Sequence, residues 1–178
     1  MGQRFIMTAF GKDRPGIVAD VTGLLYENGC NLEDTSMTLM AGEFTLILLF
    51  TAGSAEVATP LSKACRRLEQ EKGISAFLRP LEPQETAKPG DRVKTRTLHV
   101  EGLDQAGIVY KVSRFLADHR INIVDLKSTV KASPESGTAM YVMDIRVQIP
   151  IDSDMELVEK GLRAVADKLN VDITLSGR

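Results

Sequence analysis

"GKDRPGIV", residues 11–18, and "GLDQAGIV", residues 102–109, decide how this chain of 178 residues is read, because they write the same turn twice. Each stretch leaves a short apolar run through a glycine and an aspartate, then enters an aliphatic series through a second glycine. Working outward at a constant offset of 91 residues, Gly11, Asp13, Gly16, Ile17, Val18, Val21, Leu25, Asn31, Asp34 and Thr38 fall in order on Gly102, Asp104, Gly107, Ile108, Val109, Val112, Leu116, Asn122, Asp125 and Thr129. Self-similarity at one fixed offset marks an internal repeat, so the chain reads as a duplication of a single unit. Past Ala132 the second copy carries a longer turn, "SPESG" (133–137), before the register resumes.

Both copies spell the same series of elements. "RFIMTAF" (4–10) and "TRTLHVE" (95–101) are short and stop at glycine, as strands do. From Pro15 to about Asn28 the apolar positions Ile17, Val21, Leu24 and Leu25 follow helical spacing, as do Ile108, Val112, Phe115 and Leu116. "ENG" (27–29) stops the first helix, with Gly29 suited to a left-handed cap. "CNLEDTSMTLM", a turn at "AGE" and "FTLILLF" follow, the last an unbroken apolar run that predicts a strand covered on both faces. Their counterparts are "INIVDLKSTVK" and "AMYVMDIRVQI". A second helix is marked by Val57, Leu61, Cys65 and Leu68, and later by Val158, Leu162, Val165 and Leu169. "ISAFLRPL" (74–81) and "VDITLS" (171–176) close the units as strands.

The order strand, helix, strand, strand, helix, strand, given twice, predicts an α+β chain of two ferredoxin-like units. Each would be a four-stranded antiparallel sheet with both helices on one face. The expected boundaries are a first domain over 1–82, a linker over 83–94 containing two prolines and a glycine among charged residues, and a second domain over 95–178.

Composition removes several classes of function. With 43% hydrophobic and 26% charged residues, the chain has the balance of a soluble globular protein. A net charge of −2 gives no pull toward a phosphate backbone, and no helix-turn-helix or basic stretch is present, so no direct nucleic-acid contact is expected. No apolar stretch is long enough for a bilayer, and the start lacks a secretory h-region. The expected setting is therefore the cytoplasm, with no membrane partner. Cys30 and Cys65 stand in apolar neighbourhoods without Cys or His at ligand spacing, as reduced structural thiols do. His99 and His119 have no nucleophile elbow, Cys partner or His-Glu-x-x-His run beside them. Glu33 with Asp34, and Asp152 with Asp154, lack further oxygen ligands at loop spacing. No catalytic residue, metal site or cofactor is expected.

The repeated turn carries the remaining chemistry. A helix starting just after Asp13 or Arg14 would hold Pro15 in its first turn, where a missing N–H costs nothing. Gly16 would leave the first N–H groups open, and the positive end of the helix seats an anion such as the α-carboxylate of an amino acid, with Asp13 facing its ammonium. Asp13 as an N-cap, Pro15 as a helix starter and Gly16 as a packing residue would serve the fold alone. Asn31 and Asn122 open the strand after each first helix, where an amide either meets a ligand or simply shapes a turn. The pattern lacks the third glycine of a dinucleotide fingerprint and the Gly-Lys-Ser/Thr of a P-loop.

"DRPGIV", "GCNLEDTSMT" and "GEFTLILLF" together resemble the ACT domain, a regulatory ferredoxin-like module that binds amino acids. Two such units in tandem, the first the closer match, resemble the glycine cleavage system transcriptional repressor family. The resemblance implies effector sites where the first turn of one unit meets the early second strand of another. It thus groups Asp13, Arg14, Pro15, Gly16 and Ile17 with Asn122, and Asp104, Gln105, Ala106, Gly107 and Ile108 with Asn31. Gln105 and Ala106 depart from the Arg-Pro of the pattern, so one working site per chain is a natural outcome. It further implies a non-enzymatic sensor of a small amino acid, free glycine first among them. Such a sensor would regulate through contact with a DNA-binding transcription regulator, with room for a homodimer. The competing expectations are a detached regulatory subunit of a metabolic enzyme and a scaffold that has lost its ligand. An enzyme in its own right is disfavoured, because two such units account for all the residues.

Overall fold

The computed structural model describes residues 2–82, 92–133 and 137–177. Residues 83–91 of the expected linker, and 134–136 of the expected "SPESG" turn, lie outside the described residues. The chain divides into two compact units, Met1–Thr86 and Ala87–Arg178.

The first unit runs β1 (Gln3–Lys12), α1 (Ile17–Glu27), β2 (Asn31–Met40), β3 (Glu43–Ala52), α2 (Ala58–Lys72) and β4 (Ser75–Pro80). Its sheet has the antiparallel order β2-β3-β1-β4. The second unit runs β5 (Val93–Leu103), α3 (Ile108–Asp118), β6 (Asn122–Ala132), β7 (Ala139–Pro150), α4 (Met155–Leu169) and β8 (Val171–Gly177), in the order β6-β7-β5-β8. Each is a ferredoxin-like α+β unit with its helices on one face of the sheet.

Side-chain alternation explains this one-sided cover. On β1, Phe5, Met7 and Ala9 are buried, and on β3 so are Phe44, Leu46, Leu48 and Phe50. They meet Ile17, Val21 and Leu25 of α1 and Leu61, Cys65 and Leu68 of α2, positions at the 3.6-residue spacing of one helix face. The second core repeats the scheme with Leu98, Val100, Met143, Ile145 and Val147 under Ile108, Val112, Leu116, Val158 and Leu162. Val57 lies in a short 3₁₀ turn ahead of α2, against the core.

Two expectations need correction. The run "FTLILLF" is covered on one face only: Ile47, between the buried Leu46 and Leu48, is 43% exposed, because both helices sit on the same side of the sheet. The first helix begins at Ile17, not at Pro15, because Gly16 takes a left-handed backbone (φ 86°, ψ −3°) that no helical residue adopts. Gly29, as expected, is left-handed at φ 67° just past the end of α1, and the Cys30 N–H returns to the Leu25 carbonyl.

The register fixes where the repeated turn stands. Lys12, the last residue of β1, pairs with Glu43, and the Asp13 N–H donates to the Gly42 carbonyl at 2.9 Å. The turn therefore lies at the end of the sheet that carries the β2–β3 hairpin. Asn31 pairs with Thr51 at the opposite end, the length of a ten-residue strand away. The second unit is alike: the Asp104 N–H donates to the Ala139 carbonyl at 3.1 Å, while Asn122 pairs with Gln148.

Candidate functional site

Arg14, Pro15, Gly16 and Ile17 form a four-residue turn closed by the Ile17 N–H and the Arg14 carbonyl at 3.3 Å. The Gly16 dihedrals are those of the third residue of a type II turn, where φ is positive and glycine is favoured, and Pro15 stands second, where proline is common. Gly107 takes nearly the same values, φ 95° and ψ −1°. The replacement of Arg-Pro by Gln105-Ala106 thus leaves the turn intact, since its third position carries the conformational demand. Space is not the constraint on Gly16: a Cβ there would meet nothing nearer than Nη1 of Arg14, at 3.9 Å.

Each turn delivers the chain into a helix whose cap residue is a glycine without a side chain, so no side chain caps the start of α1 or α3. The Ile17 N–H is taken by the Arg14 carbonyl and the Asp20 and Lys111 N–H groups by the Gly16 and Gly107 carbonyls, which leaves the N–H groups of Val18 and Ala19 in α1, and of Val109 and Tyr110 in α3, without a capping side chain. Asp13 is not the N-cap, three residues ahead of that position, and among the described residues its carboxylate has no hydrogen-bond or ion-pair partner. Asp104 is placed alike. Ile17 and Ile108 bury their side chains in the two cores, so they offer a ligand only their backbone.

Sequence reasoning missed Asp20. Arg14 donates from Nη2 to Asp20 Oδ2 at 2.5 Å, and Lys72, the last residue of α2, brings Nζ to 3.8 Å from Oδ1. The Arg14 hydrogen bond holds the Asp20 carboxyl below its ordinary pKa of 3.8, against a smaller opposing push from burial and with help from the Lys72 and Arg14 charges. The available signal was an acid in the first helical turn, where it favours the positive end. A groove of about 220 Å³ continues from there between α1 and α2, past Ala19, Gly23, Arg67 and Glu71.

The second turn is tied to its unit by different chemistry. Gln105 donates from Nε2 to the Leu169 carbonyl at the end of α4, where the first unit has Lys72. Lys111 occupies the position of Asp20, and its Cε is the atom nearest to where a Cβ on Gly107 would stand. Unit one thus offers a guanidinium clamped by a carboxylate, and unit two an ammonium without that clamp.

The remaining candidates are structural. Asp154 caps α4, accepting from the N–H groups of Glu156 at 3.0 Å and Leu157 at 3.2 Å. Glu33 pairs with Arg4 at 2.7 Å. His119 sits at the end of α3, with Nδ1 2.8 Å from the Phe115 carbonyl. Burial pushes the thiols of Cys30 and Cys65 up, away from reactivity. Among the described residues no group of three His, Cys, Asp or Glu is placed to hold a metal, and no helix is long and apolar enough to cross a membrane.

The ACT-domain family model matches residues 3–78, which takes in β1 through most of β4 and the whole first turn. A UPF0237 protein of Methanopyrus kandleri is 32% identical over 76 residues, 84% of its own length and 42% of this chain. This chain is an ACT-domain protein. ACT domains are regulatory modules without catalytic machinery, and this chain is a regulatory protein of that kind, not an enzyme. The glycine cleavage system transcriptional repressor of Escherichia coli is 26% identical over 166 residues, covering 93% of this chain and 85% of the relative. The crystal structure of a protein from Galdieria sulphuraria superposes with a TM-score of 0.78 at 28% identity, covering 99% of this ACT protein and 98% of that chain.

Proposed function

We propose that this ACT protein senses a small amino acid, free glycine in the first instance, at the turn 13–17. In this reading it represses transcription of glycine catabolism by binding a DNA-binding regulator and not DNA. The observation that carries the reading is the uncapped helix start behind Gly16, flanked by an unpartnered carboxylate on Asp13 and a guanidinium on Arg14. A zwitterion matches that arrangement. Its carboxylate takes the open N–H groups of α1 and the Arg14 charge, and its ammonium takes Asp13. The likeness to a glycine cleavage system repressor is what favours glycine among small amino acids. The likeness to the Escherichia coli repressor supports the biological setting, and the net charge of −2 supports action through a protein in the cytoplasm.

Asn31 and Asn122 lie far from the turn of their own unit, so their share in a site requires a second unit, as the pairing of turn 13–17 with Asn122 and of turn 104–108 with Asn31 supposes. The turn at Asp104, Gln105, Ala106, Gly107 and Ile108 is the weaker seat, because Gln105 brings no charge where the first turn has the Arg14 guanidinium.

Isothermal titration calorimetry with glycine, serine, alanine and threonine tests the reading, repeated on Asp13→Ala, Arg14→Ala, Asn122→Ala and Asp104→Ala. The expected result is saturable glycine binding that Asp13→Ala and Arg14→Ala weaken about tenfold or more, the loss of one charge-assisted bond, with Asn122→Ala also weakening it and Asp104→Ala without effect. Absence of binding, or binding indifferent to Asp13 and Arg14, refutes it.

A further inference from the structure

Asp13 and Arg14 are chain neighbours of opposite charge, and a zwitterion at this turn needs both of them unspent. A guanidinium on a flexible stem is free to swing onto a carboxylate beside it, and that pairing would cancel the two charges against each other. Arg14 is held elsewhere. It folds back over its own turn, with Nη1 3.3 Å from the Pro15 carbonyl and Nη2 2.5 Å from Oδ2 of Asp20, inside α1. Lys72, at the end of α2, stands 3.8 Å from the other oxygen, Oδ1. The cluster holds two cations and one anion, so Arg14 is fixed in place while the group as a whole stays positive.

This clamp is not what shapes the turn. At the matching positions the second unit has Gln105 and Lys111, which cannot form it, and Gly107 still takes a φ of 95° beside the 86° of Gly16. The fold does without the ion pair in one unit and keeps it in the other, at the turn where the unpartnered Asp13 stands.

Resting on the sensing reading above, we infer that Asp20 is a positioning residue for the ligand site. It draws Arg14 away from Asp13, so that the guanidinium meets the carboxylate of the ligand while Asp13 stays open to the ammonium. Lys72 offsets the charge of Asp20 and keeps that end of the site attractive to an anion. Preorganisation of this kind lowers the ordering cost of binding.

Isothermal titration calorimetry of the full chain with glycine tests this on Asp20→Ala, Lys72→Gln, Arg14→Ala and the double variant Arg14→Ala with Asp20→Ala, with thermal melts confirming that each folds. By charge alone, removing an anion beside a carboxylate seat would tighten binding. The inference predicts the reverse for Asp20→Ala, a loss of about fivefold, and a loss of about twofold for Lys72→Gln. Once Arg14 is alanine, Asp20→Ala should cost nothing further, since Asp20 acts through Arg14. Lack of saturable glycine binding by the wild-type chain, or binding indifferent to Arg14, overturns the sensing reading and this inference with it. Binding that needs Arg14 but is unchanged or tightened by Asp20→Ala overturns the inference alone. So does tighter binding by Lys72→Gln, or a further loss from Asp20→Ala in the Arg14→Ala background.

Discussion

The uncovered faces of the two sheets, matched through the repeat, carry opposite chemistry. Where the first unit has Ile6, Phe10, Ile47, Leu49 and Phe77, the second has Thr97, Glu101, Asp144, Arg146 and Thr174. The helix-covered faces hardly differ: Met7 answers to Leu98, Ala9 to Val100, Leu46 to Met143, Leu48 to Ile145, and Ile17 to Ile108. The covered face builds the unit, and apolar residues of similar size replace one another there. The other face is free of that demand, and it is apolar in the first unit and charged or hydroxylated in the second. In the second unit His99 sits on that face with Nδ1 2.7 Å from Asp144 and Nε2 3.6 Å from Glu101, a cluster that only a solvated surface tolerates.

If the faces divide the work in this way, the same strand should respond oppositely to neighbouring substitutions. Leu48→Ala, fully buried, and its counterpart Ile145→Ala should each cost about 2–5 kcal/mol in urea unfolding. Ile47→Asp, one residue away on the open face, should cost no more than about 1 kcal/mol. Equal losses at 47 and 48 would break the comparison.

The turns are a second place where the two units can be compared, and there the two should behave alike. Gly16→Ala and Gly107→Ala each force a side chain into a left-handed conformation, at about 1–2 kcal/mol. Ala106→Pro should be neutral or stabilise by about 0.4–1 kcal/mol, because the second position of a type II turn accepts proline. A strongly destabilising Ala106→Pro in thermal melts would mean that the two turns differ after all.

Smaller effects separate the units by pH. Asp20 has a lowered pKa, so its contribution is complete above its unfolded value of 3.8 and is lost as pH falls through the lower folded value. Arg14→Gln, which installs the residue of the second turn, should flatten that acid limb in melts taken across pH. His99 has a raised pKa, chiefly from the Asp144 hydrogen bond. Its contribution is complete below 6.5 and fades as pH rises through the folded value, so His99→Thr should remove that alkaline decline without touching the acid limb. NMR titration of the His99 ring showing a value at or below 6.5 would contradict the assignment.

The fold was legible in the sequence because both of its signals are local. Helical spacing at Ile17, Val21, Leu24 and Leu25, and glycine punctuation at 11, 29 and 102, needed no knowledge of distant residues. What escaped depended on the third dimension. "FTLILLF" reads the same whether its second face meets a helix or stays open, and only the placement of both helices on one side exposes Ile47. Pro15 was taken into the helix because spacing does not report the sign of φ at Gly16. Asp20 went unnoticed because its partners, Arg14 and Lys72, stand six residues before it and at the end of another helix. Asn31 and Asn122 were legible as strand openers, but their distance from the turns follows only from the register.

The most direct test of the sensing site is amide chemical-shift mapping of the labelled protein during titration with free glycine. Saturable shifts concentrated on Gly16, Ile17, Val18 and Ala19, with much smaller changes at Gly107–Tyr110, are the predicted result. Shifts absent at 16–19 while glycine binds elsewhere, or no shifts at all, would contradict the account and leave the turn as a means of starting a helix, present twice because the unit was duplicated.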